Sequence, residues 1–249
     1  MRAMILAAGL GTRLRPLTEN RPKALVEIGG RTLLEITLAR LRSFGITDVI
    51  VNTHHFADMV REYLDSNTNF GMNIAISHEE ILLDTGGGMK KAGDFFLEQL
   101  ADSEEPFLLH NVDVISTIDL REMLQFHTEH RALATLGVQE RKTSRYLLFQ
   151  QDFELCGRRS GPDSTVELVR PSQNVQALAF CGIHVISPRF LSMMTEDGTF
   201  SIITSYLRLA GLGQKILGFR ADEYYWRDVG TPENVARAAE DLQQRVNIP

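Results

Sequence analysis

A run of small residues followed by fixed positive charge constrains this chain more than any other feature. The stretch Leu6-Ala7-Ala8-Gly9-Leu10-Gly11-Thr12-Arg13-Leu14-Arg15-Pro16-Leu17-Thr18 is followed by Pro22-Lys23. Met4 to Ala8 is apolar and has the length of a buried strand. Gly9 and Gly11 can adopt positive φ where a turn demands it, and they leave no side chain in a ligand's way. A loop of this kind can turn its backbone N–H groups inward as a nest for phosphate oxygens. Arg13 can fork onto two such oxygens, and Lys23 adds a point charge beside them.

Two known phosphate loops do not fit. A Walker A loop needs a Lys-Ser/Thr pair that is absent. A Rossmann fingerprint needs a third small residue where Leu14 stands, which disfavours a dehydrogenase. A plain strand-to-loop turn accounts for the two glycines but not for Arg13, Arg15 and Pro22-Lys23 around them.

Length and composition set the frame. The 249 residues suffice for a large α/β unit, with 43% hydrophobic and 23% charged residues, so a core needs neither disulfides nor metal. A net charge of −6 argues against a nucleic-acid partner. Cys156 and Cys181 form no C-x-x-C or zinc pattern and read as free thiols. No run approaches the ~20 apolar residues of a membrane span, and the N-terminal apolar run ends at Gly9, too short for a secretory signal. The expectation is a cytoplasmic protein with no membrane partner.

Strands are expected at Met1 to Ala8, Asp48 to Thr53, Asn73 to Ser77, Phe107 to Asn111 and Ala132 to Val138. Between them, helical patterns run from Leu33 to near Gly45, Ala57 to Leu64, Gly88 to Leu100 and Leu120 to Glu129. This alternation indicates βαβ units and a mostly parallel sheet with helices on its faces. Ligand loops then lie at the carboxyl ends of the strands. After Val138 the pattern changes to short antiparallel strands at Arg145 to Gln150, Leu155 to Gly157, Thr165 to Val169 and Ala177 to Ile186, with a polar turn at Gly157 to Ser164. A helix near Ser201 to Ala210 and a strand at Lys215 to Phe219 follow, and Pro232 to Val246 closes the chain behind Thr231 as N-cap. With no internal repeat or linker, 1–249 is expected to be one domain with a β-rich insertion.

Four further constellations carry chemistry. Thr85-Gly86-Gly87-Gly88 offers a flat backbone surface for a planar base, or simply a flexible loop. Glu79, six residues earlier, is acceptor-only and suits uracil N3–H or the N1–H and N2–H of guanine; a solvated surface acid is the plain alternative. Asn111-Val112-Asp113 ends a strand where α/β sheets bind ligands. Trp226-Arg227-Asp228-Val229-Gly230-Thr231-Pro232 precedes the closing helix, and Gly182 interrupts a strand in Phe180-Cys181-Gly182-Ile183-His184-Val185, where a strand glycine often marks close approach. His127 and His130, three apart on a helix, read as surface residues rather than metal ligands.

These stretches together resemble the sugar-1-phosphate nucleotidylyltransferases. The first matches L-A-A-G-x-G-T-R-x-x-P-x-T followed by P-K, and the last matches W-x-D-[IV]-G-T-P. Val112 departs from the family's glycine before the aspartate, and Val169-Arg170 stands where many relatives carry Glu-Lys. The resemblance implies a dinucleotide-binding-like (Rossmann-like) fold with a mixed, mostly parallel sheet. Residues 1–138 mainly bind nucleotide, 139–231 mainly bind sugar, and 232–249 form the closing helix. It implies transfer of a nucleotidyl group from an NTP to a sugar 1-phosphate, giving NDP-sugar and pyrophosphate with Mg²⁺.

In that reading Leu6, Ala8, Gly9, Gly11, Thr12, Arg13, Lys23, Glu79, Thr85, Gly86, Gly87 and Asn111 bind nucleotide. Asp113, Gly182 and Asp228 face the sugar phosphate, Asp113 and Asp228 hold the metal, and Arg13, Lys23 and Asp113 are catalytic. The short chain and T-G-G-G turn look most like bacterial N-acetylmuramate 1-phosphate uridylyltransferases of cell-wall recycling. Ser77-His78-Glu79-Glu80 looks equally like mannose-1-phosphate guanylyltransferases. The partners implied are UTP, or GTP, and a sugar 1-phosphate. A non-catalytic nucleotide-sugar-binding module is the alternative from another class.

Overall fold

The computed structural model describes residues 1–97, 105–160 and 165–244. Strand and helix alternate through β1 (Arg2–Leu6), α1 (Leu33–Ser43), β2 (Asp48–Thr53), α2 (Ala57–Ser66), β3 (Asn73–His78), α3 (Asp84–Lys91) and β4 (Phe107–Asn111). β1 is parallel to both β2 and β4, and β2 is parallel to β3. In register, Leu6 aligns with Asn52 and with Asn111, so three strand ends meet at one edge of the sheet. The parallel strands read as apolar runs because both faces are covered. On β1, Ala3 and Ile5 join one buried core while Met4 joins the other.

The chain continues through β5 (Val114–Ser116), α4 (Leu120–Glu129), β6 (Ala134–Gln139), β7 (Arg145–Phe149), β8 (Leu155–Ser160), β9 (Thr165–Leu168), β10 (Gln176–Ile186), α5 (Ile202–Gly211), β11 (Ile216–Arg220), β12 (Trp226–Asp228) and α6 (Pro232–Gln244). The main sheet has ten strands, in the order β9-β8-β7-β10-β4-β1-β2-β3, with β6 also on β10 and β11 beside β6. β10 joins the two halves. Its end pairs antiparallel with β4, and its first three residues pair with β7. The register of β10 against β6 shifts between Phe180 and His184. Gly182 lies in that interval at φ +73, where a Cβ would come within 2.8 Å of Asn111 Nδ2. Only glycine tolerates both that backbone and that approach.

Local signals set the helix starts. Thr32 accepts from Glu35 N–H at 3.0 Å, the first half of a capping box. Asp119 caps α4 by accepting from Arg121 and Glu122 N–H. Thr231 caps α6 through Asn234 N–H at 3.3 Å, with Pro232 at the first position.

The structure corrects four expectations. The helix expected from Gly88 starts earlier, at Asp84, and breaks before a short helix Gly93–Leu97; residues 98–100 lie outside the described residues. β8 runs through Ser160 rather than turning at Gly157, and 161–164 lie outside the described residues. The end of the closing helix at 245–246 lies outside them too. Gly86 and Gly87 are not a flat loop. They sit inside α3, where a Cβ on Gly86 would be 2.3 Å from Phe200 Cε2 and one on Gly87 would be 2.4 Å from Gly198 O. The run is glycine because the 198–200 loop lies directly on the helix. His127 is not a surface residue either: it is buried between the hydroxyls of Thr135 (2.9 Å) and Ser187 (3.0 Å).

Two outcomes follow from this packing. Gly87→Ala forces a methyl against a backbone carbonyl that cannot rotate away, so a loss of about 1–3 kcal/mol is expected in denaturant titration. Gly93→Ala meets nothing nearer than Leu191 at 3.7 Å and serves as the neutral comparison.

Burial lowers the pKa of His110 and His127 to about 4 and of His184 to about 3, from 6.5. Each is therefore neutral in the native state, while the unfolded chain takes up protons below about pH 6.5. Their contribution is present above that pH and is lost as pH falls toward 4, at ~1.4 kcal/mol per pH unit per histidine. Unfolding midpoints should drop from pH 7 to pH 5; constant midpoints across that range would contradict the assignment.

Candidate active site

The phosphate loop leaves β1 at Leu6. Gly11 takes φ +64 and starts a single turn, Thr12–Leu14. A Cβ on Gly11 would lie 2.9 Å from Thr18 Cγ2, and its carbonyl accepts from the Thr18 hydroxyl at 2.8 Å. Gly9 is a different case. Nothing lies within 4 Å of where its Cβ would be, and it lines a cavity, so its value is open access. Among the described residues, the N–H groups of Gly9, Leu10 and Gly11 have no acceptor.

Those of Ala7 and Ala8 are taken by Asn52 Oδ1, at 2.6 and 3.3 Å. Asn52 Nδ2 donates to Glu79 Oε1 at 2.7 Å, and Leu83 N–H donates to Glu79 Oε2 at 2.9 Å. This relay ties the loop after β1 to the loop that enters α3. Glu79 is fully buried rather than a solvated acid, with each oxygen already accepting one bond. Gly88 lies under it, since a Cβ there would be 2.6 Å from Glu79 Oε1. Sequence reasoning missed Asn52. Its signal was a polar residue near the end of an otherwise apolar strand.

The acids come together through a two-stranded ribbon. β5 and β12 pair antiparallel, with Val114 opposite Asp228, and Val229 N–H donates to Asp113 O at 2.9 Å. Asp113, just before β5, and Asp228, the last residue of β12, distant in sequence, thus have neighbouring backbones. Asp113 is ion-paired with Lys23. Asp228 Oδ1 accepts from Gly230 N–H at 2.6 Å, and a Cβ on Gly230 would meet both Asp228 Oδ1 and Arg13 Nη2. Trp226 Nε1–H anchors the ribbon to Cys181 O at 2.7 Å. Two carboxylates form a hard oxygen donor set of the kind that Mg²⁺ accepts, completing its shell with phosphate oxygens and water.

Two cavities meet at Asp84, Thr85 and Asn111, which line both. The smaller, about 340 Å³, holds Leu6, Ala8, Gly9, Lys23, Glu79 and Asp113. The larger, about 760 Å³, holds Arg13, Gly182 and Asp228 with residues of β7 and β8. Thr85 also accepts from Ile202 N–H at 3.0 Å, which caps α5. Gly86 and Gly87 line neither cavity, which corrects their expected contact with a base. Val112 is buried in the core and touches the smaller cavity. Arg170 lines neither; it is ion-paired with Glu154 and donates to Ala210 O and Gln214 O.

Cys156 and Cys181 are buried free thiols, and burial pushes Cys181 up to about 12. No helix of the described residues is long and apolar enough to cross a membrane.

Known proteins share this fold. A solved structure of HddC from Yersinia pseudotuberculosis, complexed with GMP-PN, superposes with a TM-score of 0.76 at 21% identity, covering 97% of this chain and 99% of that one. An N-acetylmuramate alpha-1-phosphate uridylyltransferase from Caulobacter vibrioides is 35% identical over 93% of this chain and 92% of its own length. A mannose-1-phosphate guanyltransferase from Candida albicans is 29% identical over 94% of this chain, which spans 62% of that relative. The family model described as nucleotidyl transferase matches residues 2–245, so nearly every strand and loop described above falls within it, and the chain belongs to that family.

Proposed function

We propose that this nucleotidyltransferase moves a nucleotidyl group from an NTP to a sugar 1-phosphate and releases pyrophosphate. UTP and N-acetylmuramate 1-phosphate are the favoured pair. The observation that supports the reading is the β5–β12 ribbon, which makes the backbones of Asp113 and Asp228 neighbours, with Asp113 lining the smaller cavity and Asp228 the larger. The sugar preference draws on the uridylyltransferase relative, which matches this chain along 92% of its own length against 62% for the guanyltransferase.

In this reaction a phosphate oxygen of the sugar phosphate attacks the α-phosphorus in line. A new P–O bond forms, the bond from α-phosphorus to the bridging oxygen breaks, and pyrophosphate leaves with the electron pair. Little covalent work falls to the protein, and positioning and charge neutralisation dominate. The free amides of Gly9 to Gly11 and the Arg13 guanidinium serve the triphosphate, chiefly the leaving pyrophosphate. Lys23 serves the phosphates near the reacting phosphorus.

Asp113 and Asp228 would hold Mg²⁺, which when bound offsets the repulsion between the two phosphates. Glu79 presents a fixed acceptor edge in the smaller cavity, because Asn52 and Leu83 N–H already orient its carboxylate. A carboxylate has lone pairs beyond those two bonds, and they suit an imide N–H such as that of uracil.

The purified chain with Mg²⁺, each NTP and a panel of sugar 1-phosphates should release pyrophosphate, fastest with UTP. Silence across a broad panel would favour a non-catalytic binding module instead. Asp113→Ala and Asp228→Ala should each lower turnover by at least ~10²-fold, the scale of a lost electrostatic contact to the transition state. The double variant should lose little more, because groups acting as a unit are non-additive. Small, additive losses would end the shared-metal role.

A further inference from the structure

The larger cavity gathers more positive charge than nucleotidyl transfer requires. In a chain of net charge −6, its wall carries Arg13, Arg141, Arg145, Arg158 and Arg227 against Asp84 and Asp228. Arg158 is paired with Glu167 at 2.7 Å and Arg227 with Asp241 at 2.6 Å. Arg13 belongs to the phosphate loop. Among the described residues, Arg141 and Arg145 have no carboxylate within salt-bridge distance.

Arg141 is held firmly although no carboxylate lies within salt-bridge distance of it, Asp228 acting on it from farther away. Its guanidinium stacks over the Trp226 ring at 3.7 Å from the centroid, and its Nη2 donates to Phe180 O at 2.7 Å. Its Nε–H is buried with no partner. An unpaired donor on a desolvated cation is costly unless a ligand completes it.

Arg145 starts β7, in the insertion sheet. In register it faces Ser160 and Leu147 faces Arg158, and all four line the cavity. Arg145 and Arg158 are therefore diagonal neighbours on one sheet face. Glu167 already offsets Arg158, so Arg145 is the cation of this pair with no carboxylate at salt-bridge distance among the described residues.

We propose that Arg141 and Arg145 bind a carboxylate carried by the acceptor sugar, separate from its 1-phosphate, and that this second charge is how the site selects its sugar. The inference rests on the sugar-phosphate reading above. The 1-phosphate has its own cation in Lys23, beside Asp113. Arg141 supplies a fixed donor, set by its stack on Trp226. Arg145, exposed at the strand start, closes on the carboxylate from the solvent side.

The test compares kcat/KM for three acceptors with UTP and Mg²⁺: N-acetylmuramate 1-phosphate, its carboxyl methyl ester, and N-acetylglucosamine 1-phosphate. The acid should be preferred over the ester by about 10–100-fold, the range of a charge-assisted hydrogen bond. Arg145→Gln should reduce that preference to within about threefold, mostly through KM, as expected for a ground-state binding contact. Arg145→Lys should retain part of it, since charge remains without the fork. Arg141→Gln, checked by circular dichroism for folding, should weaken binding of the acid more than of the ester in calorimetry.

Equal wild-type use of acid and ester overturns this inference and leaves nucleotidyl transfer standing. Arg145→Gln slowing acid and ester alike also overturns it, because Arg145 then serves the phosphate or the fold. Turnover of none of the three with any NTP, nor of other sugar 1-phosphates, brings down the sugar-phosphate reading itself.

Discussion

One buried amide ties the loop after β1 to the loop that enters α3. Asn52 is 2% exposed and spends its whole side chain on two neighbours, accepting from the amides of Ala7 and Ala8 and donating to Glu79. Glu79 in turn fixes Leu83 at the entrance to α3. A buried polar group left unpaired costs about 1–3 kcal/mol, so each link of this chain is stable only while the others are made. The phosphate loop and the floor of the smaller cavity therefore share one network and cannot shift independently. Because Asn52 takes the amides at 7 and 8, it also decides which amides stay free for a ligand: those from Gly9 to Gly11.

The acidic corner is built by a different device. Neither β5 nor β12 belongs to the main sheet, and each has three residues. Their ribbon is anchored from outside, by Trp226 to Cys181 O and by Thr117 and Tyr225, whose backbones and the Thr117 hydroxyl exchange two bonds at 3.0 Å. Gly182, in the irregular stretch of β10, lets Asn111 and Val114 approach that strand. The same Trp226 carries Arg141 on its ring. One aromatic side chain thus couples the position of the β5–β12 ribbon to the position of Arg141.

Much of this was legible in the residues, and the failures have physical causes. β2 and β4 were read to the residue because buried parallel strands are apolar throughout and end at polar residues. The two aspartates were singled out from separate motifs, yet the ribbon that makes their backbones neighbours was invisible, since three residues give no periodicity to read. The glycines of α3 were read as loop because glycine is a poor helix former. Close packing by Gly198 and Phe200 overrode that propensity, which is a tertiary fact. Arg170 stands where many relatives carry Lys and is tied to Glu154 and two carbonyls. Asn52 and Arg141 were missed because their meaning depends on which strands are neighbours, not on local pattern.

The Lys23–Asp113 ion pair would couple the phosphate and the cation proposed above. Lys23 and Asp113 are 12% and 17% exposed and neutralise one another. A phosphate that draws the Lys23 ammonium leaves Asp113 as a half-dry anion beside another anion, an arrangement that is strongly unfavourable at low local dielectric. A cation at Asp113 removes that penalty, and at the same time frees Lys23 for the phosphate. Each ligand therefore strengthens the site for the other, and by linkage the gain is equal in both directions. Asp228, held by Gly230 N–H beside Arg13, extends the same exchange to the loop. The coupling needs no moving domain, because a single ion pair is the switched element.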